Sequence, residues 1–107
     1  MRLLTMREAR RRVRGLRGWS LRGKTLVKTY HFPTYRQAVR FFNKVASLAE
    51  RLNHHPDAYV GYGKVVLRLT THDLGGLTMK DFNTAALINK LEKRYAGKAE
   101  GKKSKKE

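Results

Sequence analysis

Between positions 38 and 52 the apolar residues Ala38, Phe41, Phe42, Val45, Leu48, Ala49 and Leu52 recur every three or four places among polar ones. Four turns of that period predict an amphipathic helix over about 35–52, and Thr34 with Gln37 supplies a capping box at its start. Phe82, Ala85, Ala86, Ile88, Leu91 and Tyr95 repeat the period behind Thr78, whose acidic partner Asp81 stands three residues on. A shorter stripe, Met6, Ala9, Val13 and Leu16, follows Thr5-x-x-Glu8 and predicts a helix over about 6–15, stopped by Gly15 and Gly18. Elsewhere the period falls to two. Trp19 to Leu21 and Thr25 to Phe32 are β-prone runs flanking Arg22-Gly23-Lys24, a hairpin spacing. In the second run Leu26, Tyr30 and Phe32 share one face, Thr29 and His31 the other, and Pro33 ends it. Within 59–71, Val65, Leu67 and Leu69 alternate with Val66, Arg68 and Thr70, which predicts a second hairpin or bent strand with one core face. Half-buried strands alternating with one-sided helices predict an α+β domain, an antiparallel sheet with its helices on one face.

Composition narrows the function classes. A chain of 107 residues, 40% hydrophobic with four Phe, five Tyr and one Trp, is of single-domain length with a modest core. No run approaches the roughly 20 apolar residues that span a bilayer, and no apolar stretch follows the Arg-rich start, so no membrane partner and a cytoplasmic location are expected. Without cysteine there is no disulfide, thiolate nucleophile or thiolate metal site. The net charge of +17 is concentrated at the ends. Residues 1–24 hold nine Lys/Arg against Glu8, and residues 97–107 hold five Lys against Glu100 and Glu107. The stretch 25–96 carries eleven basic and five acidic side chains. The domain is expected over 1–96, and the Gly-, Ser- and Lys-rich tail over 97–107 is expected to be disordered and solubilising. Arg7, Arg10, Arg11, Arg12, Arg14 and Arg17 could touch phosphates, but on a helix such a cluster is more often a solvated face.

The candidate chemistry lies in the middle: Glu50-x-x-x-His54-His55-Pro56, then Thr71-His72, Gly76-Leu77-Thr78 and Asp81. Imidazole, with an unperturbed pKa of about 6.5, exchanges protons near neutrality. Glu50 stands at i and i+4 from His54, placed to orient its ring or make it more basic. Pro56 disfavours helical geometry at His55, so the helix should end there with the histidine pair at its mouth. Adjacent His54 and His55 point in different directions, which argues against one metal ion held by three histidines. No serine sits in a strained Gly-rich elbow, and Gly75-Gly76 is too short for a phosphate cradle.

These motifs, with the strand Lys64-Val65-Val66-Leu67-Arg68-Leu69-Thr70, resemble the pterin-4a-carbinolamine dehydratase family. Upstream, Leu26-x-Lys28-x-Tyr30-x-Phe32 running into Phe41, Val45 and Ala49, and Trp19 after a short helix, extend the resemblance over about residues 5–95. It implies a four-stranded antiparallel sheet with three helices on one side, assembled as a homodimer or homotetramer. The implied activity is dehydration of a 4a-hydroxytetrahydropterin to the quinonoid dihydropterin, which recycles the cofactor of aromatic amino acid hydroxylases. The pterin would be the substrate, with no cofactor or metal. By the same resemblance His54 and His72 are the acid/base pair and His55 holds the substrate. Asp81 would hydrogen-bond a histidine or the pterin, or cap the third helix. Trp19 and Tyr59 would border the flat heterocycle, with Pro56 and Thr71 beside it. One position departs from the pattern: two residues after the Pro, where many members carry Trp, this chain has Ala58, followed by Tyr59. In animals the same protein is also a dimerisation partner of a homeodomain transcription factor. Two alternatives stay open: a binding module contacting nucleic acid or a protein through the basic ends, and an activity on a related pterin or molybdopterin intermediate.

Overall fold

The computed structural model describes residues 1–106, with side chains described as far as Glu92. Thr5 opens α1 (Met6–Val13) as the spacing predicts. Its hydroxyl accepts from the Glu8 N–H at 3.0 Å, and the Glu8 carboxylate accepts from the Thr5 N–H at 2.8 Å. The helix stops earlier than the two glycines imply. The N–H groups of Gly15 and Leu16 bond back three residues, to Arg12 and Val13, which tightens the last turn out of α geometry. β1 (Ser20–Arg22) and β2 (Thr25–His31) form the first hairpin, turning at Gly23 with φ +61°. Thr34 caps α2 (Tyr35–Leu52) by accepting from the Gln37 N–H. β3 (Asp57–Gly61) and β4 (Lys64–Leu69) form the second hairpin, a definite hairpin rather than one bent strand, and it begins directly after Pro56. A 3₁₀ turn (His72–Leu74) then leads to α3 (Met79–Lys106). The expectations for Tyr95 and for the 97–107 tail lie outside the residues whose side chains are described.

The four strands form one antiparallel sheet in the order β1-β2-β4-β3. Directly paired residues project to the same side. The registers Leu21–Leu26–Leu69 and Tyr30–Val65–Val60 therefore make rows on one face, and Ser20–Val27–Arg68–Asp57 and Thr29–Val66–Tyr59 make rows on the other. The first face is the core face: Leu26, Val65, Leu67 and Leu69 are fully buried there. The helices cover it with Ala9 from α1, Ala38, Phe41 and Val45 from α2, and Phe82, Ala85 and Ile88 from α3. Phe41 is the aromatic hub, its ring 4.8 Å from Tyr30 and 5.0 Å from Phe32. The α+β expectation of a four-stranded sheet with three helices thus holds, because alternation and helical stripe agree on one core. Among the described residues no helix is long and apolar enough to cross a membrane.

Candidate active site

Antiparallel pairing sets the end of α2 beside the end of β4. Asp57, at the start of β3, pairs with Arg68 near the end of β4, so residues 53–56 and 70–72 are neighbours. α2 closes in a Schellman arrangement, with the His54 N–H on the Ala49 carbonyl (3.1 Å) and the Asn53 N–H on that of Glu50 (3.3 Å). Asn53 takes the left-handed conformation this requires, φ 52° and ψ 43°, which asparagine adopts more readily than most residues. The helix therefore ends at Leu52 through Asn53, before Pro56 exerts any effect.

That turn corrects the pairing read from spacing. Beyond residue 52 the i,i+4 relation no longer applies, and Glu50 Oε2 lies 2.7 Å from Nε2 of His55, not on His54. The Glu50–His55 pair is exposed. His54 turns inward instead, 8% exposed, with Nε2 2.6 Å from Asp81 Oδ1. Asp81 is wholly buried, and its other oxygen accepts from the Thr71 hydroxyl (2.8 Å) and the Thr78 N–H (3.0 Å). Having donated to Asp81, Thr71 accepts from the Thr78 hydroxyl at 2.9 Å, which itself accepts from the Lys80 N–H. Charge-assisted bonds of this kind are shorter and stronger than neutral ones, so Asp81 is held from both sides.

A carboxylate only accepts, which assigns the hydrogen of His54 to Nε2 and leaves Nδ1 without one in the neutral ring. No buried side-chain nitrogen or oxygen among the described residues lacks a partner. Nδ1 has no partner among the described residues and so is open to the adjoining cavity. His72, on the 3₁₀ turn, is exposed and has no side-chain partner among the described residues. Gly75, with φ +71°, and the Thr71–Gly76 bridge hold that turn closed. A cavity of about 480 Å³ brings His54, His55 and His72 together, with Thr71, Leu74 and Lys80 on its walls. That volume suits a small heterocycle.

Several expected residues are placed elsewhere. Thr71 lines the cavity, but its hydroxyl is engaged by Asp81, and Asp81 itself stands behind His54, away from the cavity walls. Pro56 leads into β3 without lining the cavity. Tyr59, 58% exposed, is in the outer-face row with Val66, and its ring lies over Gly61, where a Cβ would come within 2.7 Å of it. The alternation of β3 sends it there. Trp19 is 5% exposed and belongs to the core, its indole N–H donating to Asn89 Oδ1 at 3.0 Å. The same oxygen accepts from the Tyr30 hydroxyl and from Lys28 Nζ. Burial pushes the Tyr30 phenol well above its ordinary pKa and pulls the Lys28 ammonium below its own.

Asn53, Thr78 and Lys80 contribute more to the site than the sequence reading allowed. Asn at the end of an apolar stripe is a left-handed cap signal that could have located the turn, whereas nothing in the sequence marks Lys80. Among the described residues no three His, Asp or Glu side chains converge as a set of metal ligands. Arg7, Arg10, Arg11, Arg12 and Arg14 are exposed, have no ion-pair partner among the described residues, and lie outside the cavity walls.

Comparison with known proteins points the same way. A protein of Sulfurisphaera tokodaii, provisionally named as a pterin-4-alpha-carbinolamine dehydratase, is 44% identical over 91 residues, covering 85% of this chain and 98% of its own. One from Trichormus variabilis with the same provisional name is 47% identical over 76 residues, covering 71% and 82%. The crystal structure of a transcriptional coactivator/pterin dehydratase from Brucella melitensis matches with a TM-score of 0.79 at 30% identity, over 84% of this chain and 98% of that one. A pterin dehydratase-like protein identified as a RuBisCO assembly factor in the alpha-carboxysome matches with a TM-score of 0.59 at 28% identity, over 69% and 88%. The family model for pterin 4 alpha carbinolamine dehydratase matches residues 2–91, a span that takes in both histidine turns and every strand between them, and by that match the chain belongs to this family.

Proposed function

We propose that the protein is a hydro-lyase that removes water from a 4a-hydroxytetrahydropterin by histidine general acid/base catalysis. The observation that carries this reading is the unequal fitting of two imidazoles at one cavity. His54 is anchored through Nε2 with Nδ1 open, while His72 has no side-chain partner among the described residues. Dehydration needs both. A base takes the proton from the ring N–H, its electron pair forms the C=N bond at the adjacent carbon, and the hydroxyl leaves that carbon as water after receiving a proton from an acid. His54 Nδ1 is suited to the base and His72 to the acid. His55, braced by Glu50, binds the substrate. No net oxidation occurs, so the residues in place suffice without a cofactor.

Membership of a fold family does not fix activity, and one structural neighbour is named as an assembly factor. The paired and open histidines favour the enzyme here. The binding alternative draws on arginines that the cavity does not use. The test is the rate of disappearance of chemically generated 4a-hydroxytetrahydropterin with wild type, His54→Ala and His72→Ala. Losses of about 10²–10⁴-fold in each variant are expected. Wild type no faster than buffer would refute the proposal; His72→Ala, altering an exposed residue, separates lost chemistry from lost folding.

A further inference from the structure

The cavity wall facing the histidines includes a residue from far away in sequence, Met1, together with Leu74. Met1 is 77% and Leu74 41% exposed, and Leu3, two residues on from Met1, is 45% exposed and lies against Gly76. Apolar side chains grouped in the open around a cavity mark a binding surface more often than chance exposure. The segment that carries Met1 is held down at several points. The Leu4 N–H bonds the Leu77 carbonyl at 2.8 Å, and its side chain is in the core. Arg2 forks onto Glu8, Nη1 to Oε1 at 3.1 Å and Nη2 to Oε2 at 2.8 Å, and Nη1 also donates to the Leu3 carbonyl. That pairing holds the Glu8 carboxyl down at about 2.

Gly76 provides the seat. A Cβ there would stand 3.0 Å from Leu3 Cδ2, so the missing side chain is what lets Leu3 lie against the loop. The Gly76 carbonyl accepts from the Thr71 N–H at 2.9 Å, and Thr71 is the residue whose hydroxyl holds Asp81. Leu3 thus packs on the loop that positions the partner of His54.

Resting on the dehydratase reading, we infer that residues 1–4 form a strap that walls the histidine cavity, and that Met1 and Leu74 make the apolar surface against which the face of the substrate ring packs. The sulfur of Met1 and the branched end of Leu74 suit an aromatic or partly reduced ring face. The strap is a specificity and shielding element, with the proton transfers left to the histidines. Its contribution is to binding, equal in ground and transition state, so its loss raises KM more than it lowers kcat.

Leu3→Ser unseats the strap at an exposed position, and Gly76→Val does so from the opposite side by filling the seat. Two readouts apply to both variants. The first is carbethoxylation by diethyl pyrocarbonate, followed histidine by histidine by peptide mass spectrometry. His54 is expected to react slowly in wild type and to approach the rate of exposed His31 in the variants, with His31 unchanged as internal reference and thermal melts showing Leu3→Ser still folded. The second is turnover of 4a-hydroxytetrahydropterin, with KM rising about tenfold, equivalent to about 1.4 kcal/mol, and kcat changing less than about threefold. Unchanged His54 reactivity in both variants, or unchanged KM in an active enzyme, overturns the strap. If wild type does not turn the substrate over, the dehydratase reading falls by itself, and His54 reactivity alone decides whether residues 1–4 wall the cavity.

Discussion

Replacing Asp81 by asparagine tests the assignment of His54 most directly. The carboxylate accepts from three donors: His54 Nε2, the Thr71 hydroxyl and the Thr78 N–H. An asparagine of the same shape can keep its one oxygen on the Thr71 and Thr78 donors. Its NH₂ group must then face Nε2 of His54, which can no longer donate there. The imidazole is forced into the other tautomer, with its hydrogen on Nδ1, and the nitrogen facing the cavity changes from acceptor to donor. Loss of a positioned general base costs about 10²–10⁴-fold in kcat, or about 3–5 kcal/mol of barrier. Stability should fall by about 1–3 kcal/mol, as for hydrogen bonds to a charged group, which most domains survive given about 5–15 kcal/mol in hand. Asp81→Ala would be uninformative, since it strands three buried donors at about 1–3 kcal/mol each. The assay combines stopped-flow dehydration of 4a-hydroxytetrahydropterin, a thermal melt, and ¹⁵N NMR of the His54 ring to read the tautomer. Asp81→Asn with wild-type turnover and Nε2 still protonated would refute the reasoning. Reduced turnover with an unchanged tautomer would show that Asp81 acts by some other route.

Three further outcomes follow from the fold. Leu67→Ala, at a fully buried position in the central strand β4, should cost about 2–5 kcal/mol in urea unfolding, whereas Thr29→Ala on the exposed face should stay within about 1 kcal/mol; equal losses would contradict the one-sided core. Asn53→Ala should lose about 1 kcal/mol, because a Cβ without a local hydrogen-bonding group pays for left-handed φ, while Asn53→Gly should be neutral or better; a similar loss in both would mean that the backbone angle is not the cause. Glu8, held at about 2 against an ordinary 4.5 by Arg2 and the Thr5 N–H, contributes stability that is present above pH 4.5 and lost as pH falls toward 2. Melting temperature against pH should therefore drop more steeply over that window in wild type than in Glu8→Gln, and parallel curves would count against the Arg2–Glu8 fork.

How far the site could be read in advance differed residue by residue. The motifs mark His54, His55 and His72 as a group, and the cavity brings the three together. Spacing points Glu50 at His54, but i,i+4 presumes a helix that Asn53 has already ended, and the carboxylate meets His55 instead. The resemblance puts Tyr59 beside the heterocycle, yet the strand period sends it to the outer face. The resemblance puts Trp19 at the heterocycle, whereas Asn89, seventy positions away, captures its N–H within the core. Asp81 was open between capping and chemistry; its two oxygens serve the Thr78 cap and His54 at once.

By itself the sequence determined what is local and periodic. The stripes of α2 and α3, the alternation of β4 and the capping pairs at Thr5 and Thr34 each depend on residues within a turn or two of one another, so spacing alone carries them. Tertiary structure decided what depends on pairing across the sheet and on the direction of the chain after a cap. The β1-β2-β4-β3 order set the end of α2 beside the end of β4, the left-handed turn at Asn53 sent His54 inward and His55 outward, and burial delivered His54 to Asp81, twenty-seven residues later. Residues far apart in sequence meet only when the whole core closes, because the free energy that holds them together comes from burial summed over every element.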